Sequence, residues 1–157
     1  MISMKKAIFV VAFVGVVSAA CVPGFAATIT WQGGGGNGNW GTTANWTGGV
    51  SPASGDTAVF NSAGNPETTI HLNITTDLDT GPGAATVNTV VFDTASAAAY
   101  TIGTGGVGVD TLTLNAGGSI VVNAGVVNAQ TMNANVTLLG DAAFANNAAN
   151  ASGGLLT

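Results

Sequence analysis

Beyond residue 27 the apolar residues of this chain arrive in short bursts, several of them strictly alternating with polar neighbours. Leu112 and Leu114 fall on one face of an extended segment, Ile120 and Val122 on another, and Val136 and Leu138 on a third. Ala27 to Trp31 alternates in the same way and reads as a first strand. The pattern predicts further strands over 57–60, 69–74, 86–92, 99–102, 111–114, 119–122 and 135–139. Val, Ile, Thr and Leu fill these segments, and Gly, Asn, Asp and Pro separate them, so strand formers alternate with turn formers. Gly33 to Gly38 reads as a loop, while Pro52 to Asp56 and Pro66 mark turns. The Ala/Asn-rich stretch 142–151 carries neither the acid–base pairs nor the caps of a helix.

A repeat lies inside this pattern. Leu112-Thr113-Leu114-Asn115-Ala116-Gly117 is echoed by Ile120-Val121-Val122-Asn123-Ala124-Gly125, and Asn-Ala steps recur at Asn128, Asn133, Asn147 and Asn150. Short strands punctuated by Asn and Gly suit a β-solenoid, in which a coil cannot bury its apolar face alone and so stacks on the next. Asparagine tolerates left-handed backbone at the corners and can ladder with asparagine in a neighbouring coil. The expected fold is therefore all-β, a right-handed parallel β-helix or solenoid entered through an aromatic N-terminal cap. A β-sandwich is the alternative. The expected division is a signal peptide over 1–26, a Trp/Gly-rich cap region over 27–66 and a β-strand repeat region over 67–157.

The N-terminus has the order of a secretory signal: Lys5 and Lys6, an apolar run from Ala7 to Val17, then a small-residue segment ending Gly24-Phe25-Ala26. That run is too short to cross a bilayer, which takes roughly 20 residues. Cleavage after Ala26 leaves no transmembrane helix. It also discards Cys21, the single cysteine, which otherwise stands after Ser18-Ala19-Ala20 in a weak likeness of a lipoprotein box. The mature chain then has no disulfide and no thiolate metal site. Both basic residues leave with the signal, so the formal charge moves from −5 to −7. Without Lys or Arg there is nothing to hold phosphates, which argues against nucleic acid as a partner.

The segment Trp31-(Gly-rich)-Trp40…Asn45-Trp46…Pro52…Gly55-Asp56-Thr57-Ala58-Val59-Phe60 resembles the opening of bacterial exported proteins with autotransporter-associated β-strand repeats, and Thr111 to Gly125 is similar to their repeats. The resemblance implies a passenger that forms a right-handed parallel β-helix and works at the bacterial cell surface or outside the cell after transit through the periplasm. The chain stops in mid-pattern at Leu155-Leu156-Thr157 with no polar capping repeat, which predicts a fragment of something longer, with self-association as a hazard of the open end.

Candidate chemistry is sparse. Gly105 to Thr113 fits a calcium-binding nonapeptide with Asp110 as the ligand. Such sites form between successive copies and this chain has one, so a glycine turn with Asp110 exposed competes with it. Asp77 and Asp79 lie on one side of an extended chain, at a spacing a glycosidase could use, but among turn residues. His71 is the single histidine and reads as a strand-face residue. Trp31, Trp40 and Trp46 could stack on sugar rings; packing as the plug of the first coil is the competing role. The expected function is that of an exported structural or interaction protein for display, adhesion or matrix, with extracellular glycans or surface components as partners, no cofactor and no catalysis. Two alternatives stand beside it: a secreted glycan-binding module using the tryptophans, and the leading part of a β-helix polysaccharide-degrading enzyme.

Overall fold

The computed structural model describes residues 25–63, 67–72, 83–104, 106 and 109–149. The N-terminal segment read as a signal, with Cys21, the Asp77/Asp79 pair, most of the glycine run before Asp110 and the last residues of the chain lie outside that set. The described residues form β1 (Thr28–Thr30), β2 (Thr57–Phe60), β3 (Thr69–Ile70), β4 (Ala84–Phe92), β5 (Thr101–Ile102), β6 (Thr111–Val122), β7 (Thr131–Met132), β8 (Asn135–Leu138) and β9 (Ala142–Asn146). Single 3-10 turns cover Thr43–Asn45 and Thr47–Gly49, and no α-helix occurs among the described residues.

Every strand pair is parallel. One sheet runs β1-β2-β4-β6, and β6 then pairs with β8 along its first half and with β9 along its second. A second sheet runs β3-β5-β7. An antiparallel sandwich does not fit this pairing. Register carries equivalent positions from strand to strand: Thr28, Thr57, Thr89, Ser119 and Ala143 form one row, and Ile29, Ala58, Val90, Ile120 and Phe144 the next. Ala85, Leu112 and Val136 form another, and Ile70, Ile102 and Met132 a row of the second sheet. The sheet passes without a break from the cap region into the repeat region.

Two predicted strands, 111–114 and 119–122, are halves of the single strand β6. The eight-residue echo of Leu112 at Ile120 is thus internal to one strand. Leu112 stacks on Ala85 and Val136, and Ile120 on Val90 and Phe144. Between the halves the chain turns a corner, where Asn115 to Gly118 stand opposite the single residue Asn88 of β4. Gly118 is required there: a Cβ would lie 2.4 Å from the Asn88 carbonyl oxygen. Strands β7 and β9 were not foreseen, because Thr131–Met132 and Ala142–Asn146 lack the Val/Ile/Leu alternation that marks the others.

The interior is one apolar cluster whose hub is Phe60. Its ring meets Trp31, Trp40 and Trp46 on one side and Phe92 and Tyr100 on the other, with centroid distances of 5.0–6.3 Å. Phe92 stacks directly on Phe60 at 5.5 Å because β2 and β4 are in register at those positions. Side-chain amides tie rungs together at the corners. Asn123 Nδ2 donates to Asp93 Oδ1 at 2.9 Å, Asn128 Nδ2 to the Ala97 carbonyl at 2.8 Å, and buried Gln130 both donates to Ala98 O and accepts from Tyr100 N. Phe60→Ala should cost roughly 3–5 kcal/mol through the cavity it leaves. Thr57→Ala on the same strand, partly solvent-exposed, should stay within about 0.5 kcal/mol of wild type. Urea unfolding of the two variants checks the contrast.

Candidate functional site

Two places gather the residues with chemistry: the tryptophan end and the corner at Asp110. At the tryptophan end, Trp31, Trp40 and Trp46 are all at most 1% exposed. They pack edge to face, with Trp46 4.9 Å from Trp31 and 4.8 Å from Trp40. Each indole N–H is used internally: Trp31 donates to Glu67 O, Trp40 to Pro52 O and Trp46 to Trp40 O. The chain between them is locked by buried Asn45, whose side-chain oxygen accepts from Gly35 N while its amide donates to Asn37 O and Asn39 O. Gly38 lies so close to β3 that a Cβ would sit 2.1 Å from the Thr69 carbonyl oxygen. The outer edge of β1 is covered, since Thr30 N–H donates to Thr47 Oγ1 at 3.0 Å. No indole face is open to a sugar ring in this arrangement.

Asp110 stands at the corner that opens β6, and its side chain is fully buried. This corrects the expectation of an exposed turn residue. The cause is visible in its partners. Oδ1 accepts from Gly83 N at 2.7 Å, and Oδ2 accepts from Leu72 N at 3.1 Å and Thr104 N at 2.9 Å. These donors come from the segment after β3, the residue before β4 and the segment after β5. One carboxylate therefore joins three passes of the chain. His71 Nδ1 lies 3.0 Å from Oδ2, and the Thr104 hydroxyl also meets Nδ1. His71 Nε2 is buried with no hydrogen-bond partner. The mainchain of Asp110 continues the column upward, its carbonyl accepting from Asn135 N at the start of β8.

Burial alone would push the Asp110 carboxyl up. The backbone N–H groups of Thr104, Gly83 and Leu72, with His71 beside them, outweigh it and hold the group below the ordinary carboxylate range. Both oxygens face donors, which is the surroundings of a bound anion. A calcium ligand needs its lone pairs directed at the ion. A nucleophilic triad needs the carboxylate and the hydroxyl on opposite imidazole nitrogens, whereas here both meet Nδ1. No group of three or more His, Cys, Asp or Glu able to hold a metal occurs among the described residues.

Sequence reasoning singled out Asp110 but missed Thr104 and the Leu72 and Gly83 amides. It also placed His71 on a strand face, apart from Asp110. One signal was available: in a chain whose only Lys or Arg residues are Lys5 and Lys6, an aspartate inside a glycine turn has mainly N–H and hydroxyl donors to satisfy it. Compared with family models, curated proteins and solved structures, the chain matches none.

The sign of the pH effect follows from the lowered pKa. The stabilisation Asp110 contributes is fully present above the unfolded carboxylate value of about 3.9 and is lost as pH falls through its lower native value. Asp110→Asn removes the charge that the three amides solvate and should cost about 2–3 kcal/mol at pH 7. The gap between variant and wild type should shrink at the acid end of a series of urea titrations.

Proposed function

We propose that this chain is an exported, non-catalytic β-solenoid, the N-terminal part of a passenger-type scaffold that works in display, adhesion or matrix at the cell surface or outside the cell. The observation that carries the reading is the register: chemically matched side chains, such as Thr28/Thr57/Thr89/Ser119 outside and Ile29/Ala58/Val90/Ile120 inside, recur strand over strand in parallel sheets. Stacked coils produce such rows by construction. Right-handed winding is the expected hand, because parallel crossovers are right-handed in about 98% of cases. The covered edge of β1 supports an N-terminal cap, as does the tryptophan plug beneath it.

Chemistry favours a scaffold over an enzyme. The carboxylate that gathers the most side-chain and backbone partners, Asp110, spends its oxygens on internal donors, and the lone histidine spends Nδ1 on Asp110. The tryptophans spend their N–H groups and ring faces on packing, which argues against the glycan platform. The leader-like N-terminus and the likeness of the Trp31 to Phe60 segment to exported repeat proteins support a location beyond the inner membrane. No helix among the described residues is long and apolar enough to cross a membrane.

Expression of the full chain in a bacterial host, followed by fractionation, tests the reading. The expected product starts at Ala27, lies outside the cytoplasm, resists protease and leaves polysaccharides uncleaved. Cytoplasmic retention with an intact leader would sink the export claim, and glycosidic bond cleavage would sink the non-enzyme claim. Trp40→Ala separates the remaining rival: the plug role predicts loss of folding, and a sugar platform predicts a folded protein that no longer adheres to polysaccharide.

A further inference from the structure

We propose that removal of the leader after Ala26 turns the Ala27 nitrogen into an α-ammonium seated on Asp56, so that maturation itself fastens the start of β1 to the turn before β2. This rests on the export and the cut before Ala27 proposed above. Ala27 is held at both ends of its backbone. Its N–H donates to Asp56 Oδ1 at 2.9 Å, and its carbonyl accepts from Thr57 N at 2.8 Å. Thr28 follows as the partner of Thr57, the first register contact between β1 and β2. Just upstream the chain leaves the fold: Phe25 is 94% exposed, and Ala26 and Ala27 are exposed with it. The bond to be cut therefore lies at the boundary between free and anchored chain, open to a protease.

Hydrolysis adds water across the Ala26–Ala27 peptide bond. The water oxygen stays on Ala26, which departs with the leader as a carboxylate, and both protons end on the Ala27 nitrogen as an ammonium group. The Thr57 contact holds Ala27 in place, so the nitrogen stays within reach of Asp56 Oδ1. A neutral donor is replaced by a charged one at the same spot, and charge-assisted hydrogen bonds are shorter and stronger.

The receiving carboxylate is set before the cut. Asp56 Oδ2 accepts from Ala53 N at 2.9 Å, and Asp56 N donates to Ala53 O at 3.0 Å, which closes the Pro52 to Asp56 turn. Residues 27–157 hold no Lys or Arg, and the single histidine lies 3.0 Å from Asp110. The new terminus is thus the cation within reach of Asp56. β1 is three residues long, and the first residues of a domain stay poorly ordered unless something ties them down. A cut after Ala19 or Ala20 would put the charge several residues upstream and leave Asp56 with a neutral amide.

Acetylation of the processed protein tests this. Without Lys in residues 27–157, the α-amino group is its one primary amine, and acetylating it restores the neutral amide N–H of the uncut bond. The full chain is expressed with its leader, and the exported product is purified and its first residue read by mass spectrometry; Ala27 is expected. Acetylation should then raise the unfolding equilibrium constant in urea about two- to fivefold, the range of a solvent-accessible ion pair. Asp56→Asn should abolish that sensitivity. Should Asp56→Asn fail to fold, a nuclear magnetic resonance titration of the wild type decides: the Ala27 α-amino group should titrate above the ordinary α-amino value, because a neighbouring carboxylate favours its charged form. Cytoplasmic retention with an intact leader would overturn the export reading and this proposal together. An exported product with a different first residue would overturn this proposal alone. So would a product starting at Ala27 that acetylation leaves equally stable, an equal loss on acetylating Asp56→Asn, or an ordinary α-amino titration.

Discussion

In-register parallel pairing of one strand with the next is the constraint on which the rest of this molecule depends. A single strand has no interior of its own. Phe60 is buried because Phe92 lies over it and the tryptophans lie beneath, and Phe92 because Val122 follows it. A slip of one residue would turn each of these side chains to the outside and bring Val59, Val91 and Val121 inward. Backbone pairing and core packing therefore select the same register. The corner between Asn88 and Gly118 lets a long strand serve two faces without losing it.

The stack needs different solutions at its two ends. At the start, a glycine-rich loop, two 3-10 turns and three indoles close over β1, and Asn45 and the indole N–H groups satisfy the loop's carbonyls. At β8 and β9 the rows of equivalent positions reach Leu138 and Phe144, which are 45% and 54% exposed.

Pairing with Lys or Arg has almost no part in this fold, and its place is taken by N–H donors. The only basic residues of Lys/Arg type, Lys5 and Lys6, lie outside the described residues. Asp110 is held by N–H groups from three passes of the chain, Asp93 by Asn123, and Asp56 by the Ala27 and Ala53 amides. Each of these contacts crosses a turn or a rung boundary. The carboxylates thus act as staples for backbone that the sheet ladders do not reach.

The all-β class and most strand positions were legible in the sequence, because alternation and turn residues act locally and need no partner. Leu112/Leu114, Ile120/Val122 and Thr57 to Phe60 announced themselves in this way. The pairing was not legible. The echo of Leu112 at Ile120 looked like the repeat, yet both lie in the single strand β6; only pairing across the sheet set Ile120 on Val90. Short or alanine-rich strands such as β7 and β9 have too weak a local preference to be seen, and neighbouring rungs impose extension on them. The Asp110 corner was hidden for the same reason: Leu72 and Gly83 are far from Asp110 along the chain and meet it only once the sheets form. Local periodicity determined which segments are strands and which way their side chains point. Which strand lies on which, and so which buried groups meet, was decided by the stack as a whole, since register is a property of pairs of segments and is written in neither one alone.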